Sequence, residues 1–286
     1  MNIKKNKIIR IILFPVLFLK NLLLKNKNKK IIRFNSIFSN VIEGSLVVNL
    51  DSIPGCFEID ARSHLLQRIL INNDYEPEIV SLIIENINSE KDAINVGANV
   101  GLFAVLLSNL LNSDRKVLAI EPTPLAFNYL KKNILRNNKE DKILLYNGIC
   151  TNVSSEYTMN TVLGKEEYSS LGESIHLSYL KEEIVKIQVL GETVDNLVSK
   201  FDLLPGLLFI DVEGAEMKVL QGSTKLLKEL KPIIISELDD ALLLKQDTSS
   251  KKVVAFLESL DYDVISIDNN KIIYPFSGNI IAKPNS

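Results

Sequence analysis

The segment "NVGANVG", Asn95 to Gly101, sets two glycines four residues apart between apolar runs. A loop of this kind after a strand gives a sharp turn at Gly97, where φ > 0 is open to glycine. At Gly101 it lets the next helix pack close to the strand. The helix N-terminus then offers free N–H groups and a positive dipole end to an anionic group. Asn95 opens this loop, and Asn99 lies inside it. Glu121 follows at the end of the next apolar run. A strand-end carboxylate there accepts hydrogen bonds from ribose hydroxyls. Asn147, at the end of a third run, suits the edge of an adenine. Together these residues point to an adenosine-like ligand.

A second set of acids ends two later runs: Asp211, Glu213 and Glu216 in "DVEGAE", and Glu237 in "IIISEL". Carboxylates at strand ends can take a proton from a reacting hydroxyl. Each has a plainer alternative beside it. Glu213 suits the first turn of a helix, Glu216 a solvated helix face, and Glu237 a structural hydrogen bond to a loop. The DxExxE spacing is compatible with a divalent cation, but no metal is assigned. His64 reads as a surface residue. His176, after "SSLGESI", lies in an irregular segment that could cover an acceptor, as could the hydroxyls of "YSSLGES".

These residues need elements to position them, and the chain supplies an alternation of strands and helices from residue 91. "DAINV", "KVLAIE", "KILLYNGI", "EIVKIQVL", "GLLFIDV", "PIIISEL" and "YDVISID" read as strands. "VGLFAVLLSNLL", "PLAFNYLKKNILRNN", "AEMKVLQGSTKLLKEL" and "KKVVAFLESL" read as helices. The strands are continuous apolar runs, as expected when helices cover both sheet faces. The fold class is therefore α/β, a doubly wound and mostly parallel sheet. "KIIYPF" reads as a last strand joined by Asn269 and Asn270 alone, a hairpin that adds an antiparallel edge strand. Residues 34–90 form an extension of short strands followed by two helical stretches, and 91–286 form the main domain.

The 286 residues are 46% apolar and 24% charged, an ordinary globular balance. The net charge of −2 hides an asymmetry: residues 1–42 carry ten basic side chains and no acid, leaving −12 on residues 43–286. An acidic body is a poor nucleic-acid binder. The basic segment 1–33 suits anionic lipid, as a peripheral contact through residues 1–30. Its apolar run from Arg10 to Lys20 measures about 14 Å as a helix, too short for a bilayer core. Counted from Ile8 to Leu24 it reaches about 25 Å if Arg10 and Lys20 snorkel. Surface attachment, packing on the body, and spanning all remain open. No small-residue site for a signal peptidase follows. Cys56 and Cys150 form neither a disulfide framework nor a CxxC pair, which suits a reducing, cytoplasmic setting, with any membrane association on the cytoplasmic face.

The blocks "VGANVG", "IEPTPLAFNYLKKNI", "ETVDNL", "FIDVEGAEMKVLQGS" and "IIISEL", in this order and spacing, resemble the FkbM-type methyltransferase family over about residues 75–240. The G-x-G-x-x-G dinucleotide fingerprint is absent, since Asn99 and Val100 stand inside the loop. That disfavours a dehydrogenase and favours S-adenosyl-L-methionine. The resemblance implies a class I, Rossmann-like methyltransferase fold with a seven-stranded sheet, and O-methylation of a hydroxyl on a saccharide, glycoconjugate or other small molecule. It further implies that Gly97, Asn99 and Gly101 hold the methionine part, Glu121 the ribose, and Asn147 the adenine side. Asp211, Glu213 and Glu216 would line the reaction side, with Asp211 also among the residues that bind the cofactor. Two positions depart from the family pattern: Asn95 stands for the usual Asp, and Phe209 for a frequent Lys. Asn95 keeps an alternative open, a non-catalytic methyltransferase-fold protein with weakened donor binding.

Overall fold

The structure is a computed structural model that describes residues 44–162, 169–171, 184–268 and 271–285. The basic segment 1–33 and His176 lie outside the described residues, as does most of "YSSLGES". Among the described residues no helix is long and apolar enough to cross a membrane.

A hairpin opens the described chain: β1 (Ser45–Asn49) pairs antiparallel with β2 (Cys56–Asp60). Two helices follow, α1 (His64–Asn72) and α2 (Pro77–Asn86). Ser63 caps α1 by accepting the Leu66 N–H, and Asn73, at φ 64°, ends it. Pro77 opens α2, where its missing N–H costs nothing.

The main domain begins with β3 (Asp92–Val96), α3 (Leu102–Leu110), β4 (Val117–Ile120), α4 (Pro124–Arg136) and β5 (Ile143–Tyr146). Every residue of β3 and β4 is buried, the signature of strands covered on both faces. A short β6 (Ile149–Cys150), β7 (Ser155–Val162), β8 (Ser170–Leu171) and β9 (Ile184–Glu192) come next. After them run α5 (Val194–Phe201), β10 (Pro205–Ile210), α6 (Glu216–Gln221), α7 (Thr224–Glu229) and β11 (Ile233–Asp239). The chain closes with α8 (Asp240–Leu244), α9 (Ser250–Glu258), β12 (Tyr262–Ser266) and β13 (Ser277–Pro284).

Seven strands form the central sheet in the order β12-β13-β11-β10-β3-β4-β5. All pairs from β11 to β5 are parallel, while β13 runs antiparallel to both β11 and β12. The expected terminal hairpin is present with two differences. Its second strand is Ser277–Pro284 rather than 271–276, and it inserts between β11 and the edge strand β12. Residues 271–276, apolar in sequence, form the connection, with Ile273 and Tyr274 exposed. "EIVKIQVL" is a strand as read, but it lies outside the central sheet. It is part of β9, which pairs with β6 and β7 in a separate four-stranded sheet, and β7 occupies a stretch expected to be irregular.

Alternation along the strands divides the core. Ala93, Ala119, Leu207 and Phe209 pack with α1 to α4, whereas Ile94, Val96, Leu118, Ile120 and Ile210 pack with α5, α6, α7 and α9. Asp92 ties three strand starts together, one carboxylate oxygen accepting the Lys116 N–H and the other the Leu204 N–H.

The hairpin is fastened to α4 by two asparagines. Asn137 Oδ1 accepts the Cys56 N–H and its amide donates to the Cys56 carbonyl. Asn133 Oδ1 accepts the Glu58 N–H at 2.7 Å, and its amide donates to the carbonyls of Glu58 and Val100. The open edge of β2 is thus satisfied by side chains instead of another strand. Glu58 adds ion pairs with Lys132 and Arg136. Its carboxyl is held down at about 2, first by the Lys132 hydrogen bond, then by Ser45 and Arg136 against the opposing effect of burial. Replacing Asn133 with alanine strands the buried Val100 carbonyl and frees part of this edge. The expected cost is about 2–4 kcal/mol, read as a lower urea midpoint with an unchanged slope.

Candidate active site

The chain turns out of β3 at Gly97, whose φ is +82°. A Cβ at this position would meet the Asp211 carbonyl oxygen at 1.8 Å, so the loop and the end of β10 lie backbone to backbone. The Gly97 and Ala98 N–H groups both donate to the Ile120 carbonyl, and the Asp211 N–H donates to Val96. Gly101, at φ +94°, caps α3, and a Cβ there would press on Leu130 of α4. Gly97 makes the turn expected of it, whereas the room left at Gly101 admits Leu130 of α4 rather than bringing α3 close to the strand.

Glu121 emerges from β4 and is buried. One carboxylate oxygen accepts the Asn99 N–H at 2.9 Å. The other accepts the Thr123 N–H at 2.9 Å and its hydroxyl at 2.6 Å. Burial raises its proton affinity, and the Thr123 and Asn99 hydrogen bonds oppose that rise. The carboxylate is thus fixed in place and binds the glycine loop to the end of β4.

Asp211 follows β10 and is half-buried. Its carboxyl is raised well above the usual range, first by burial and then by Glu76, Glu237 and Glu213, with Arg68 acting against them. Glu237 lies near the end of β11. Burial raises it too, as does Glu76, while Arg68 again pulls it down.

Gly97, Asn99, Glu121, Asp211, Glu213 and Glu237 line one open cavity at the carboxyl ends of the strands. Four expected residues, Gly101, Asn147, Asn95 and Glu216, lie outside the lining. Gly101 is behind the loop. Asn147 turns its amide to the Glu121 and Pro122 carbonyls, so it shapes the β4–α4 turn, and Gly148 and Ile149 line the cavity in its stead. Asn95 is buried in β3 outside the cavity lining, and neither amide atom has a hydrogen-bond partner. Glu216 is no solvated face: it is buried, Oε1 accepts the Gly214 N–H, and Oε2 has no partner. Burial raises its carboxyl well above the usual range.

Four cavity residues escaped the sequence reading: His64, Arg68, Tyr75 and Glu76. They come from α1 and the turn before α2. Arg68 pairs with Glu76 at 2.7 Å, donates to the Tyr75 hydroxyl at 3.3 Å, and lies 4.7 Å from the Tyr75 ring centre. His64, expected at the surface, lines the cavity at the start of α1. The only sequence sign was a charged and aromatic cluster before Pro77. The wall opposite is built from the second sheet by Cys150, Met159 and Ser169. Among the described residues no group of three or more His, Cys, Asp or Glu side chains could hold a metal ion.

A seven-stranded sheet with a glycine turn after β3, a fixed acid after β4 and a cavity at the strand ends defines a class I methyltransferase fold. Residues 95–264 match the methyltransferase FkbM domain, and the chain belongs to that family. It is 28% identical over 165 residues to methyltransferase sdnD of Sordaria araneosa, a match over 49% of this chain and 62% of that protein. The chain thus spans less than two thirds of that curated relative. Among solved structures, it aligns with methyltransferase FkbM from Methylobacillus flagellatus KT at 14% identity and TM-score 0.46, covering 68% of this chain and 44% of that one. It also aligns with the O-methyltransferase from Bacillus cereus in complex with SAH, at 13% identity and TM-score 0.45, over 88% and 97%.

The family's methyl donor is S-adenosyl-L-methionine, and the donor set suits it. The fixed Glu121 carboxylate suits the ribose, the Gly97–Asn99 turn suits the methionine part, and Asp211 lies beside that turn. Asn95 lies outside the lining, so its substitution removes no wall of the cavity. Replacing Glu121 with glutamine sets an amide N–H against a donor N–H or hydroxyl. Calorimetry with S-adenosylhomocysteine is expected to show affinity reduced about 10–100-fold, from about 1–3 kcal/mol of lost hydrogen bonding.

Proposed function

We propose that this chain transfers a methyl group from S-adenosyl-L-methionine to a hydroxyl of a saccharide or glycoconjugate. The observation that carries the reading is one cavity lined by both a fixed carboxylate, Glu121, and a second carboxyl, Asp211, whose proton affinity is raised. When bound, the donor supplies an already activated methyl group. The chain's own residues then have two tasks, to align the reactants and to take the proton that the hydroxyl sheds.

Glu121 holds the ribose, and the Gly97–Asn99 turn holds the methionine part. Asp211 takes the hydroxyl proton at its carboxylate, and its raised proton affinity makes it a stronger base than an ordinary aspartate. Glu237 and Glu213, on the same wall, hydrogen-bond the acceptor's other hydroxyls. Cys150, whose thiol is pushed up chiefly by burial, stays protonated and is no nucleophile. The test is incubation of the protein with radiolabelled donor and a fractionated glycan extract from its host. Base-stable label in one saccharide fraction supports the proposal. Label confined to amine-containing or protein fractions would replace it.

A further inference from the structure

We infer that the segment before the matched domain completes the reaction site, with Arg68 supplying the positive charge that the carboxylates of Asp211 and Glu237 share the cavity with. The inference rests on the methyl-transfer reading only in calling Asp211 the proton acceptor.

The family match begins at residue 95, yet His64, Arg68, Tyr75 and Glu76 line the same cavity as Asp211 and Glu237. Arg68 is the only Lys or Arg lining the cavity among the described residues. It shares that lining with the carboxylates of Glu76, Asp211, Glu213 and Glu237, and it pairs with Glu76. Carboxylates crowded together cannot all stay ionised without a counter-charge, and a guanidinium supplies one at any working pH. Its placement is over-determined. Glu76 holds one end of the fork at 2.7 Å, the Tyr75 hydroxyl takes the other, and the ring lies beneath at 4.7 Å. Glu76 itself sits at φ 46° with Pro77 after it, an uncommon conformation for a non-glycine residue. α1 is anchored in turn, since Leu65, Leu66 and Ile69 are buried in the core shared with Phe103 and Phe209.

The groups facing Asp211 are therefore Glu76 from the α1–α2 turn, Arg68 from α1, Glu237 from β11 and Glu213 on its own loop. His64 and Glu121 line the same cavity. Glu76 acts in two ways: it opposes ionisation of Asp211, and it draws Arg68 toward itself. Arg68 and Glu76 should thus move Asp211 in opposite directions when each is neutralised.

The experiment reads Asp211 directly and needs no acceptor. The full chain is labelled with carbon-13 at aspartate side-chain carboxyls, and the Asp211 signal is identified by its loss in Asp211→Asn. It is then titrated in the wild type, Arg68→Gln, Arg68→Lys and Glu76→Gln. Arg68→Gln is expected to tighten proton binding at Asp211 by about threefold or more. Arg68→Lys should restore most of the wild-type midpoint, and Glu76→Gln should loosen proton binding. S-adenosylhomocysteine affinity should stay within about twofold throughout, which damage to the fold would not permit. If Arg68→Gln does not fold, the opposite-sign shift in Glu76→Gln and the near-normal midpoint in Arg68→Lys decide the matter. An Asp211 midpoint unmoved by these changes, or moved the same way by Arg68→Gln and Glu76→Gln, overturns the inference. Failure to label any glycan would remove the proposed acceptor and leave this titration result standing.

Discussion

Replacing Gly97 with alanine is expected to abolish donor binding and to destabilise the chain. The added methyl would lie 1.8 Å from the Asp211 carbonyl oxygen, and the backbone there holds φ at +82°. The conformation alone costs about 1–2 kcal/mol for an L-residue. The contact is with backbone, so no side-chain rotation relieves it. The loop must move, and with it the two N–H bonds from Gly97 and Ala98 to Ile120. A total of about 3 kcal/mol would lower Tm by about 6–12 °C in a chain of this size. Thermal unfolding should show that drop, and calorimetry should show S-adenosylhomocysteine bound at least about 100-fold more weakly. Alanine at Gly101 is a useful contrast, because its nearest obstacle is the movable Leu130 Cδ1. Wild-type affinity in Gly97→Ala would refute the role given to this turn.

Asp211→Asn should have the largest effect on turnover. An amide cannot take the proton, and loss of general base catalysis costs about 10²–10⁴-fold. Donor affinity should change by only a few-fold, because Glu121 and the Gly97 turn are untouched. The measurement is initial rate on the labelled glycan fraction beside calorimetry with S-adenosylhomocysteine. Equal losses in both would contradict the division between Glu121 and Asp211. The pH dependence has a definite sign. A base works only when unprotonated, so the wild-type rate falls as pH drops through the raised midpoint of Asp211, above the ordinary carboxylate range. Stability runs the other way. The folded chain binds this proton more tightly than the unfolded one, so this group's contribution to stability is full below the ordinary value and is lost as pH rises through the raised one.

The Gly97 turn and the strand-end acids of the cavity were legible in the sequence because their constraints are local, while Asn95, Gly101 and Asn147, expected beside them, lie outside the lining. A sharp turn needs Gly97, and a strand that ends at the cavity places Glu121 and Asp211 by chain position alone. The cavity wall supplied by residues 64–76 was not legible. Arg68 and Glu76 reach the cavity only because α1 is docked on the far core and β2 is clasped by Asn133 and Asn137, pairings about 75 residues apart. Glu216 was misread because a charged residue one turn into a helix is ordinarily solvated. Here its partner is the Gly214 N–H, which pattern alone does not reveal. The alternation of buried strands gave the sheet correctly from β3 to β5 and from β10 to β11. It failed at the last strand, where 271–276 is as apolar as a strand but carries exposed Ile273 and Tyr274. The β7–β9 sheet was missed as a separate layer because its strands, half exposed, carry no sign of which sheet they join.

The insertion of β13 has a consequence for how the chain is made. Its two neighbours, β11 and β12, both leave the ribosome before it, and each gains β13 as its partner only when it arrives. Until then β11 presents a bare, apolar flank to the crowded cell, the kind of surface that recruits stray strands. The nascent molecule is therefore most exposed to aggregation just before its sheet is zipped shut, and a chaperone that shields β11 in that interval would protect the whole fold.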